Sequence, residues 1–210
     1  GQNATIKMEI DGEEIRRSYS ICSTPYDNEL RIAVKKVENG AFSTFANQKL
    51  KKGDLLDVLP PTGSFYTALN KAAKKNYSFF AAGSGITPVI SIVKTILLTE
   101  PESSVVLIYG NRTVSSIIFK EQLEALKDKY INRFSIFYIL SRERTDNEIN
   151  FGRIDAGKCL QFSKLIDYDS VNEFFICGPE QMIYSVKDFL EAGGISKNKI
   201  HFELFTTPKR

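Results

Sequence analysis

Apolar and polar residues alternate over short stretches in the first third of the chain. The segments ATIKMEI (4–10) and EEIRRSYS (13–20) flank an Asp-Gly turn, and this pattern predicts a β-hairpin. The segments LRIAVKKV (30–37) and LLDVLP (55–60) predict two more strands, the second of which ends at a Pro-Pro pair. Short strands separated by turn signals indicate an antiparallel β-barrel or sandwich over residues 1–75.

The pattern changes at about residue 76, where alternation gives way to nearly continuous apolar runs. These runs are YSFFAA (77–82), VVLIYG (105–110), FSIFYIL (134–140) and EFFICG (173–178). Such runs are typical of parallel strands that are buried on both faces. Helical stretches are predicted between and after them, at residues 88–98, 115–129 and 179–191. The alternation predicts a doubly wound α/β domain over residues 76–210, joined to the first domain by the polar, Pro- and Gly-containing residues 61–76.

Composition excludes several functional classes. The net charge is only +3 and the lysines are scattered, which argues against a nucleic-acid-binding protein. Cys22, Cys159 and Cys177 form no C-x-x-C pair, and His201 is the single histidine, so no metal or iron–sulfur site is predicted in this chain. An odd, unpatterned cysteine count indicates a reducing compartment. No apolar run has the length of a membrane span or resembles a signal peptide, so the predicted location is the cytoplasm, without membrane contact.

Glycines, hydroxyls and arginines follow the apolar runs. The segments that come directly after the four runs are GSGITP (83–88), NRT (111–113), SRER (141–144) and PE (179–180). Because the carboxyl ends of parallel strands meet at one edge of a sheet, and ligands bind beyond that edge, these segments are expected to lie together. The sequence therefore predicts a site for a large, polar, phosphorylated ligand.

The segment GSGITP has a structure suited to phosphate. Gly83 and Gly85 allow a tight turn and a close approach of the backbone to a ligand. Thr87 is predicted to cap the following helix and Pro88 to occupy its first turn, so that free N–H groups face an anion. Taken alone, a Gly-Ser-Gly turn without a third glycine is equally typical of an ordinary turn.

Arginines and a cysteine add chemistry to the same edge. Arg112, Arg142 and Arg144 can bind a phosphate through two guanidinium N–H groups, as an arginine does for the 2′-phosphate of NADP. The alternative for each is a solvated loop arginine. Cys177 ends a buried strand and no base is adjacent to it in sequence, so a nucleophilic role is not predicted. Its alternatives are a buried core residue and a residue that lines the site.

The first region contains a second candidate for phosphate binding. Gly40 in NGAFSTF (39–45) is predicted to turn into a short helix that bears Ser43 and Thr44. Arg17, on a nearby predicted strand, can reach the same anion, and Tyr19 on the same strand offers a ring for stacking on an aromatic ligand.

Seven motifs in the same order and spacing resemble the ferredoxin–NADP reductase superfamily. They are RSYS (17–20), GAFS (40–43), PPTGSF (60–65), GSGITP (83–88), YGNRT (109–113), CGPE (177–180) and HFELF (201–205). The RRSYSICS form and the H-x-E-x-F ending are most similar to the reductase components of multicomponent oxygenases, in particular the phenylacetyl-CoA epoxygenase reductase type. The resemblance covers nearly the whole chain.

The resemblance implies a flavin-binding β-barrel followed by a nicotinamide-nucleotide domain, with FAD and NADPH favoured over FMN and NADH. A hydride would pass from nicotinamide C4 to flavin N5, and single electrons would then pass to an iron–sulfur acceptor. The implied catalytic residues are Ser20, Cys177 and Glu203. The implied flavin contacts are Arg17, Tyr19, Ser20, Val34, Lys35, Lys36, Gly40, Phe42, Ser43 and Phe205. The implied nucleotide contacts are Gly83, Thr87, Pro88, Arg112, Ser141, Arg142, Cys177, Gly178 and Pro179.

The resemblance also implies partners and two departures. Related reductases have further barrel strands before the position of Gly1, and oxygenase reductases continue into a ferredoxin domain with C-x4-C-x2-C spacing, which this sequence lacks. The expected partners are an iron–sulfur domain or ferredoxin and an oxygenase component. Three alternatives remain: a stand-alone ferredoxin or flavodoxin reductase, a flavin-bearing electron-transfer or regulatory subunit, and a nucleotide-binding module without redox activity. Arg112 and Arg142 argue against the regulatory subunit, and Tyr19 and Ser20 against the module.

Overall fold

The N-terminal part of the chain forms a three-stranded antiparallel sheet. In the computed structural model, which describes residues 1–10 and 12–205, strands β1 (Asn3–Ile10) and β2 (Glu13–Ser20) pair as the predicted hairpin. Residue 11, in the predicted Asp-Gly turn, lies outside the described residues. Strand β3 (Asp57–Val58) pairs with the other side of β1, which gives the order β2-β1-β3. Between β2 and β3 lies the short helix α1 (Ala41–Gln48), which begins directly after Gly40 as predicted.

The rest of the chain forms a five-stranded parallel sheet with helices on both faces. Its strands are β4 (Asn76–Ala82), β5 (Ser104–Asn111), β6 (Phe134–Leu140), β7 (Glu173–Gly178) and β8 (Ile200–Leu204). Its helices are α2 (Ile86–Thr99), α3 (Lys120–Lys129), α4 (Ala156–Phe162) and α5 (Glu180–Ala192). The strand order β6-β5-β4-β7-β8 reverses between β4 and β7, which confirms the doubly wound topology.

Because successive side chains of a strand point to opposite faces of the sheet, the buried strands contribute to two separate core layers. Phe79 and Phe80 are neighbours on β4, both fully buried, and they point to opposite faces of the sheet. Phe79 packs with α2 residues such as Ile90, whereas Phe80 packs with α5 residues such as Ile183. The apolar runs are continuous because both faces are covered. None of the helices in the described ranges combines the length and apolar composition of a membrane span.

The predicted strand over residues 30–37 is wrong. Within the described residues, only Ile32 of this segment forms a β-bridge, with Ile21 directly after β2, and the remainder is irregular. Side chains of α1 occupy the backbone groups that a strand would use. Asn47 donates to the Val34 carbonyl at 3.1 Å, and the Val37 N–H donates to the Ser43 hydroxyl at 3.1 Å.

Other boundaries also differ from the predictions. The strand predicted at 55–60 is limited to β3, and the Leu55 side chain is 95% exposed. The helix predicted at 115–129 begins at Lys120, because Phe119 adopts a left-handed φ of 60° that interrupts helical geometry. Helix α4 and strand β8 have no counterpart among the predicted elements, although the HFELF motif lies on β8. Both are short elements with weak periodicity.

The segment that follows β2 attaches the antiparallel sheet to the α/β region. The Ser91 hydroxyl on α2 donates to the Ser23 carbonyl at 2.7 Å, and Lys94 forms an ion pair with Asp27 at 3.1 Å. On the same side of the sheet, the Phe65 ring packs edge-on against Phe175 of β7 at a centroid distance of 5.4 Å. These contacts bring the end of β2 toward the carboxyl edge of the parallel sheet.

Candidate functional site

The Gly83–Gly85 turn lies at the point where the strand order reverses. It is a single 3-10 turn between β4 and α2. A β-carbon on Gly85 would lie 2.1 Å from the Cys177 carbonyl oxygen and 2.8 Å from the Gly178 nitrogen. Only glycine permits this contact between the turn and the end of β7, so Gly85 is required for packing between these two strand ends. The position matches the place where ligands bind in doubly wound sheets.

Two hydroxyls hold the carbonyls of this turn. The buried Tyr109 hydroxyl donates to the Gly83 carbonyl at 2.9 Å, and the Thr87 hydroxyl donates to the Ser84 carbonyl at 2.9 Å. Gly83 has a positive φ of 53°, which other residues rarely adopt. The predicted capping role of Thr87 is wrong, because α2 begins at Ile86 and Thr87 lies inside its first turn together with the buried Pro88. The Ile86 N–H, the first of α2, donates back to the Gly83 and Ser84 carbonyls, so the 3-10 turn itself forms the N-terminal end that would face an anion.

Ser20, Cys177 and Glu203 form a cluster where the two sheets meet. Cys177 and Glu203 are paired in register on β7 and β8, and Cys177 is fully buried. Burial, followed by the Glu203 charge, raises the pKa of the Cys177 thiol, so it is not an activated nucleophile. Burial also raises the pKa of Glu203, and the Ser20 hydroxyl that faces the carboxyl only partly offsets this effect.

The Glu203 carboxyl provides a test of whether a flavin fits. Its buried Oε2 atom has no hydrogen-bond partner within residues 1–10 and 12–205. A buried acceptor without a partner costs free energy, and the polar edge of a flavin ring would satisfy it. The nearly buried Ser20 hydroxyl lies beside it. The residues of this cluster therefore fit the flavin that the sequence predicts.

Helix α1 begins in a tight turn that is also suited to a phosphate. A β-carbon on Gly40 would lie 2.4 Å from the Ser43 hydroxyl, which itself donates to the Gly40 carbonyl at 3.2 Å. No side chain caps α1, so its first N–H groups are free for an anionic ligand. Phe42 is buried and its ring lies 5.5 Å from that of Tyr19, which brings the RSYS and GAFS segments together.

The remaining predicted flavin residues are more exposed. The Arg17 guanidinium donates to the Arg16 carbonyl at 2.7 Å, and its charge opposes the rise that burial causes in the pKa of Tyr19. Lys35 and Lys36 are exposed on the irregular segment before α1, whereas Val34 is half-buried and contacts Asn47. The last of these residues, Phe205, follows β8 and is 44% exposed.

The two arginine loops lie side by side beyond β5 and β6. The Arg142 N–H donates to the Arg112 carbonyl at 2.9 Å, and the Ser141 N–H donates to the Asn111 carbonyl at 2.9 Å. The structure therefore brings Arg112, Ser141 and Arg142 together, with both arginine side chains exposed. Arg144 lies apart from them, over the Phe151 ring at 5.5 Å.

Further residues of this edge lie at the carboxyl end of β7 and beside the arginine loops. Pro179 is the N-cap of α5, as predicted, and Gly178 is packed so closely that a β-carbon would lie 2.7 Å from Met182 Cε. Glu143 and Tyr109 were not among the residues predicted from the sequence. The Glu143 carboxylate accepts the Val114 N–H at 2.8 Å and lies between the arginine loops. In the sequence, both residues were marked only by their positions within SRER and YGNRT.

Family models match the chain in two places. The model described as "Oxidoreductase FAD-binding domain" matches residues 1–66, and the model described as "Oxidoreductase NAD-binding domain" matches residues 79–188. The chain belongs to the FAD- and NAD-binding oxidoreductases of the ferredoxin–NADP reductase family, as its motifs predict.

Curated relatives include components of oxygenase systems. The chain is 43% identical over 209 residues to one of the subunits of the 1,2-phenylacetyl-CoA epoxidase of Escherichia coli strain K12, covering 99% of this chain and 59% of that protein. It is 34% identical to the ferredoxin reductase component of 3-ketosteroid-9-alpha-monooxygenase of Rhodococcus rhodochrous, covering 99% of this chain and 56% of that protein. The chain therefore spans less than two thirds of the length of these relatives.

Solved structures with the same fold include reductases of several kinds. The CS-b5R domains of human Ncb5or in the NAD+ form superpose with a TM-score of 0.82 at 27% identity, covering 96% of this chain and 59% of that one. The ferredoxin-NADP+ reductase of Plasmodium falciparum with 2'P-AMP has a TM-score of 0.75 at 26% identity, covering 98% of this chain and 82% of that one. Both similarities agree with the two-region architecture.

Proposed function

We propose that this chain is the FAD- and NADPH-binding part of an oxygenase reductase. The observation that carries the proposal is the meeting of Ser20, Cys177 and Glu203 between the end of β2 and the carboxyl edge of β7 and β8. When bound there, the flavin would accept a hydride from the nicotinamide and pass single electrons to an iron–sulfur acceptor. Residues 1–75 would form the flavin domain and residues 76–210 the nucleotide domain.

The chain's own residues would bind and orient the two ligands. Tyr19 and Phe42 would pack against the flavin, while the α1 N-terminus with Gly40 and Ser43, together with Arg17, would bind its phosphates. A helix N-terminus beside an arginine can bind both phosphates of a pyrophosphate, which favours FAD over FMN. Contacts from Val34, Lys35, Lys36 and Phe205 complete the proposed flavin site.

Ser20 and Glu203 would hold a proton at the flavin edge. The Ser20 hydroxyl can donate to or accept from the N5 position, and the raised pKa of Glu203 allows its carboxyl to carry a proton closer to neutral pH. Cys177 would act by shape, because its buried thiol remains protonated and defines the wall against which the nicotinamide lies. Exclusion of water by Cys177 and the Gly83–Gly85 turn would protect the transferred hydride.

The arginine loops support NADPH as the reductant. Arg112, Ser141 and Arg142 lie beyond adjacent strands, where they would bind the 2′-phosphate. Gly83, Thr87, Pro88, Gly178 and Pro179 would line the pyrophosphate and nicotinamide positions. The Glu143 carboxylate between these loops instead favours NADH, because a carboxylate repels a phosphate.

The proposed partners follow from the relatives. Relatives named as part of an epoxidase and as a monooxygenase reductase component support an oxygenase and an iron–sulfur protein as the next electron carriers. Phenylacetyl-CoA epoxidation is the specific process that the 43% identical relative supports. The proposed location is the cytoplasm, where NADPH is supplied. The similarity to a ferredoxin-NADP+ reductase structure makes a stand-alone ferredoxin reductase the second candidate.

The proposal predicts a spectrum and a nucleotide preference that one experiment can measure. The protein, at its natural full length and loaded with FAD, should bleach anaerobically with NADPH. Arg142→Ala should raise the KM for NADPH about tenfold and leave the KM for NADH within twofold, because one charged hydrogen bond contributes about 1.5–3 kcal/mol. Arg144→Ala is the matched control, since Arg144 lies over Phe151 and should change neither KM.

Two outcomes would contradict the proposal. A protein that takes up no flavin, or whose flavin is not reduced by either nucleotide, would overturn the reductase assignment. Equal losses for NADPH and NADH in Arg142→Ala would leave the reductase assignment intact and overturn the 2′-phosphate assignment alone.

A further inference from the structure

Tyr109 is a fully buried tyrosine whose hydroxyl lies under the candidate nucleotide site. It is on β5, paired in register with Ala81 on β4, so its side chain stands beside the end of β4. There its hydroxyl donates to the Gly83 carbonyl at 2.9 Å. Burying a hydroxyl costs free energy unless it forms hydrogen bonds, and a phenylalanine ring would fill the same core volume. The hydroxyl therefore needs an explanation of its own.

The strand that carries this hydroxyl also carries the base of the arginine loops. Tyr109 lies two residues before Asn111, which is the last residue of β5. The Asn111 carbonyl accepts the Ser141 N–H at 2.9 Å, and Asn111 directly precedes Arg112. The Tyr109 hydroxyl thus holds the Gly83–Gly85 turn to the strand whose end bears the arginine loops.

Both of these segments need an external constraint. Gly83 adopts a positive φ of 53° with no atom within 4 Å of a β-carbon placed there, so packing at that position does not hold its conformation. The Arg112 and Arg142 side chains are exposed, and their loops are fixed mainly through backbone bonds to Asn111 and its neighbours. A buried hydrogen bond from β5 to the turn would keep the turn and the arginine loops at a constant separation.

We propose that the Tyr109 hydroxyl is a positioning group that couples the Gly83–Gly85 turn to the arginine loops. A dinucleotide that spans both segments then meets them already at the correct separation, and less binding free energy is lost in ordering them. A ligand that touches only the arginine loops gains little from this coupling. The inference rests on the proposed function, since it assumes that a nicotinamide dinucleotide binds at this edge.

The test removes the hydroxyl and compares the binding of the whole dinucleotide with the binding of its 2′-phospho-AMP half. Tyr109→Phe is made in the full-length, FAD-loaded protein, and the Kd values of NADP+ and of 2′-phospho-AMP are measured by titration calorimetry. The Kd of NADP+ should rise about five- to tenfold, as expected for one lost hydrogen bond, and the Kd of 2′-phospho-AMP less than twofold. The KM for NADPH should rise with the Kd, while kcat changes less than twofold.

Two tyrosines of the same sheet are matched controls. The Tyr138 ring lies 6.3 Å from the Tyr109 ring, and its buried hydroxyl has no hydrogen-bond partner in the part of the chain that the structure describes. The Tyr77 hydroxyl donates to Glu100 at 2.9 Å at the amino end of β4, far from the site along the strand. Tyr138→Phe should leave Kd unchanged, and Tyr77→Phe should lower Tm without changing Kd.

The outcomes separate the inference from the proposed function. Equal NADP+ affinity in wild type and Tyr109→Phe, or equal losses in all three variants, would overturn the inference and leave the proposed function intact. Absence of NADP+ and NAD+ binding by the wild type would overturn the proposed function and the inference with it. If Tyr109→Phe does not fold, Thr87→Val removes the other hydroxyl that holds the same turn, and an unchanged Kd of NADP+ in that variant would overturn the inference.

Discussion

The two regions of the molecule hold their site residues by different means. In the α/β region, the turn at Gly83–Gly85 is fixed by buried hydroxyls and by backbone contact with the fully buried end of β7. In residues 1–75, buried apolar side chains are few within the described residues: Ala4, Ile6, Cys22, Phe42 and Phe65. Candidate residues such as Arg17 and Lys35 are exposed there.

The comparison indicates that the two regions contribute to the candidate site with different rigidity. Cys177 and Glu203 lie on adjacent strands whose separation is set by sheet geometry, so the proposed nicotinamide side is rigid before any ligand binds. The GAFS and RSYS segments meet through the contact between the Tyr19 and Phe42 rings. We therefore expect substitutions of equal size to cost more stability in the α/β region than in residues 1–75.

The largest expected effect comes from truncating one phenylalanine in each region. Phe79 is fully buried and stacks on Phe175 at 4.9 Å, whereas Phe42 is nearly buried but belongs to neither large core cluster. Phe79→Ala should lower the free energy of unfolding by about 4 kcal/mol and Phe42→Ala by about 2 kcal/mol, because the surroundings of Phe42 can collapse more easily. Urea denaturation measures both. Equal losses would break the comparison, since they would mean that both regions are equally tightly packed.

A smaller effect should separate two glycines of the same turn. Gly85→Ala places a β-carbon 2.1 Å from the Cys177 carbonyl oxygen, and backbone on both sides must move. We expect a loss of about 3 kcal/mol in the free energy of unfolding, at the upper end for overpacking. Gly83→Ala meets no neighbour and should cost only the left-handed backbone, about 1 kcal/mol. A Gly85→Ala variant as stable as Gly83→Ala would show that the strand ends move freely and that the edge is not rigid.

The smallest expected effect is on the pH dependence of folding stability, which is compared for one carboxylate in each region. Burial alone would raise the pKa of Glu173, but hydrogen bonds from His201, Lys75 and Thr67 outweigh it and lower the pKa to about 2. A lowered carboxyl pKa stabilises the folded state above the ordinary value of 4.5, and this stability is lost as the pH falls from 4.5 toward 2. Glu173→Gln should therefore remove about 2 kcal/mol of the stability that wild type loses between pH 6 and pH 3.

Glu14 is the control for this titration in the antiparallel sheet. Contacts with Lys7 and Arg16 lower the pKa of Glu14, but its carboxylate is exposed and solvent screens the interaction. The urea midpoint of Glu14→Gln should follow the wild-type pH curve within error. If Glu14→Gln flattened the curve as much as Glu173→Gln, burial would not be what separates the two regions electrostatically.

Predictions from the sequence were most accurate where local pattern and burial agree. The four apolar runs became β4 to β7 within one residue at either end, because strands covered on both faces must be apolar throughout. The segment 30–37 has an equally clear alternation but is irregular, since its backbone groups bond to the Asn47 and Ser43 side chains. A local hydrophobic pattern cannot show that side chains from another segment will bind these backbone groups.

The sequence by itself determined the chemistry of this protein: which residue types follow each strand, and the family to which their order belongs. Glycines, hydroxyls and arginines directly follow the apolar runs in the sequence, so they can be identified without coordinates. The tertiary structure decided which of them meet. Gly85 touches Cys177, Ser20 faces Glu203, and the Tyr109 hydroxyl reaches Gly83. These contacts depend on strand order and on distances of a few ångströms between segments far apart in the chain, which only packing of the whole molecule fixes.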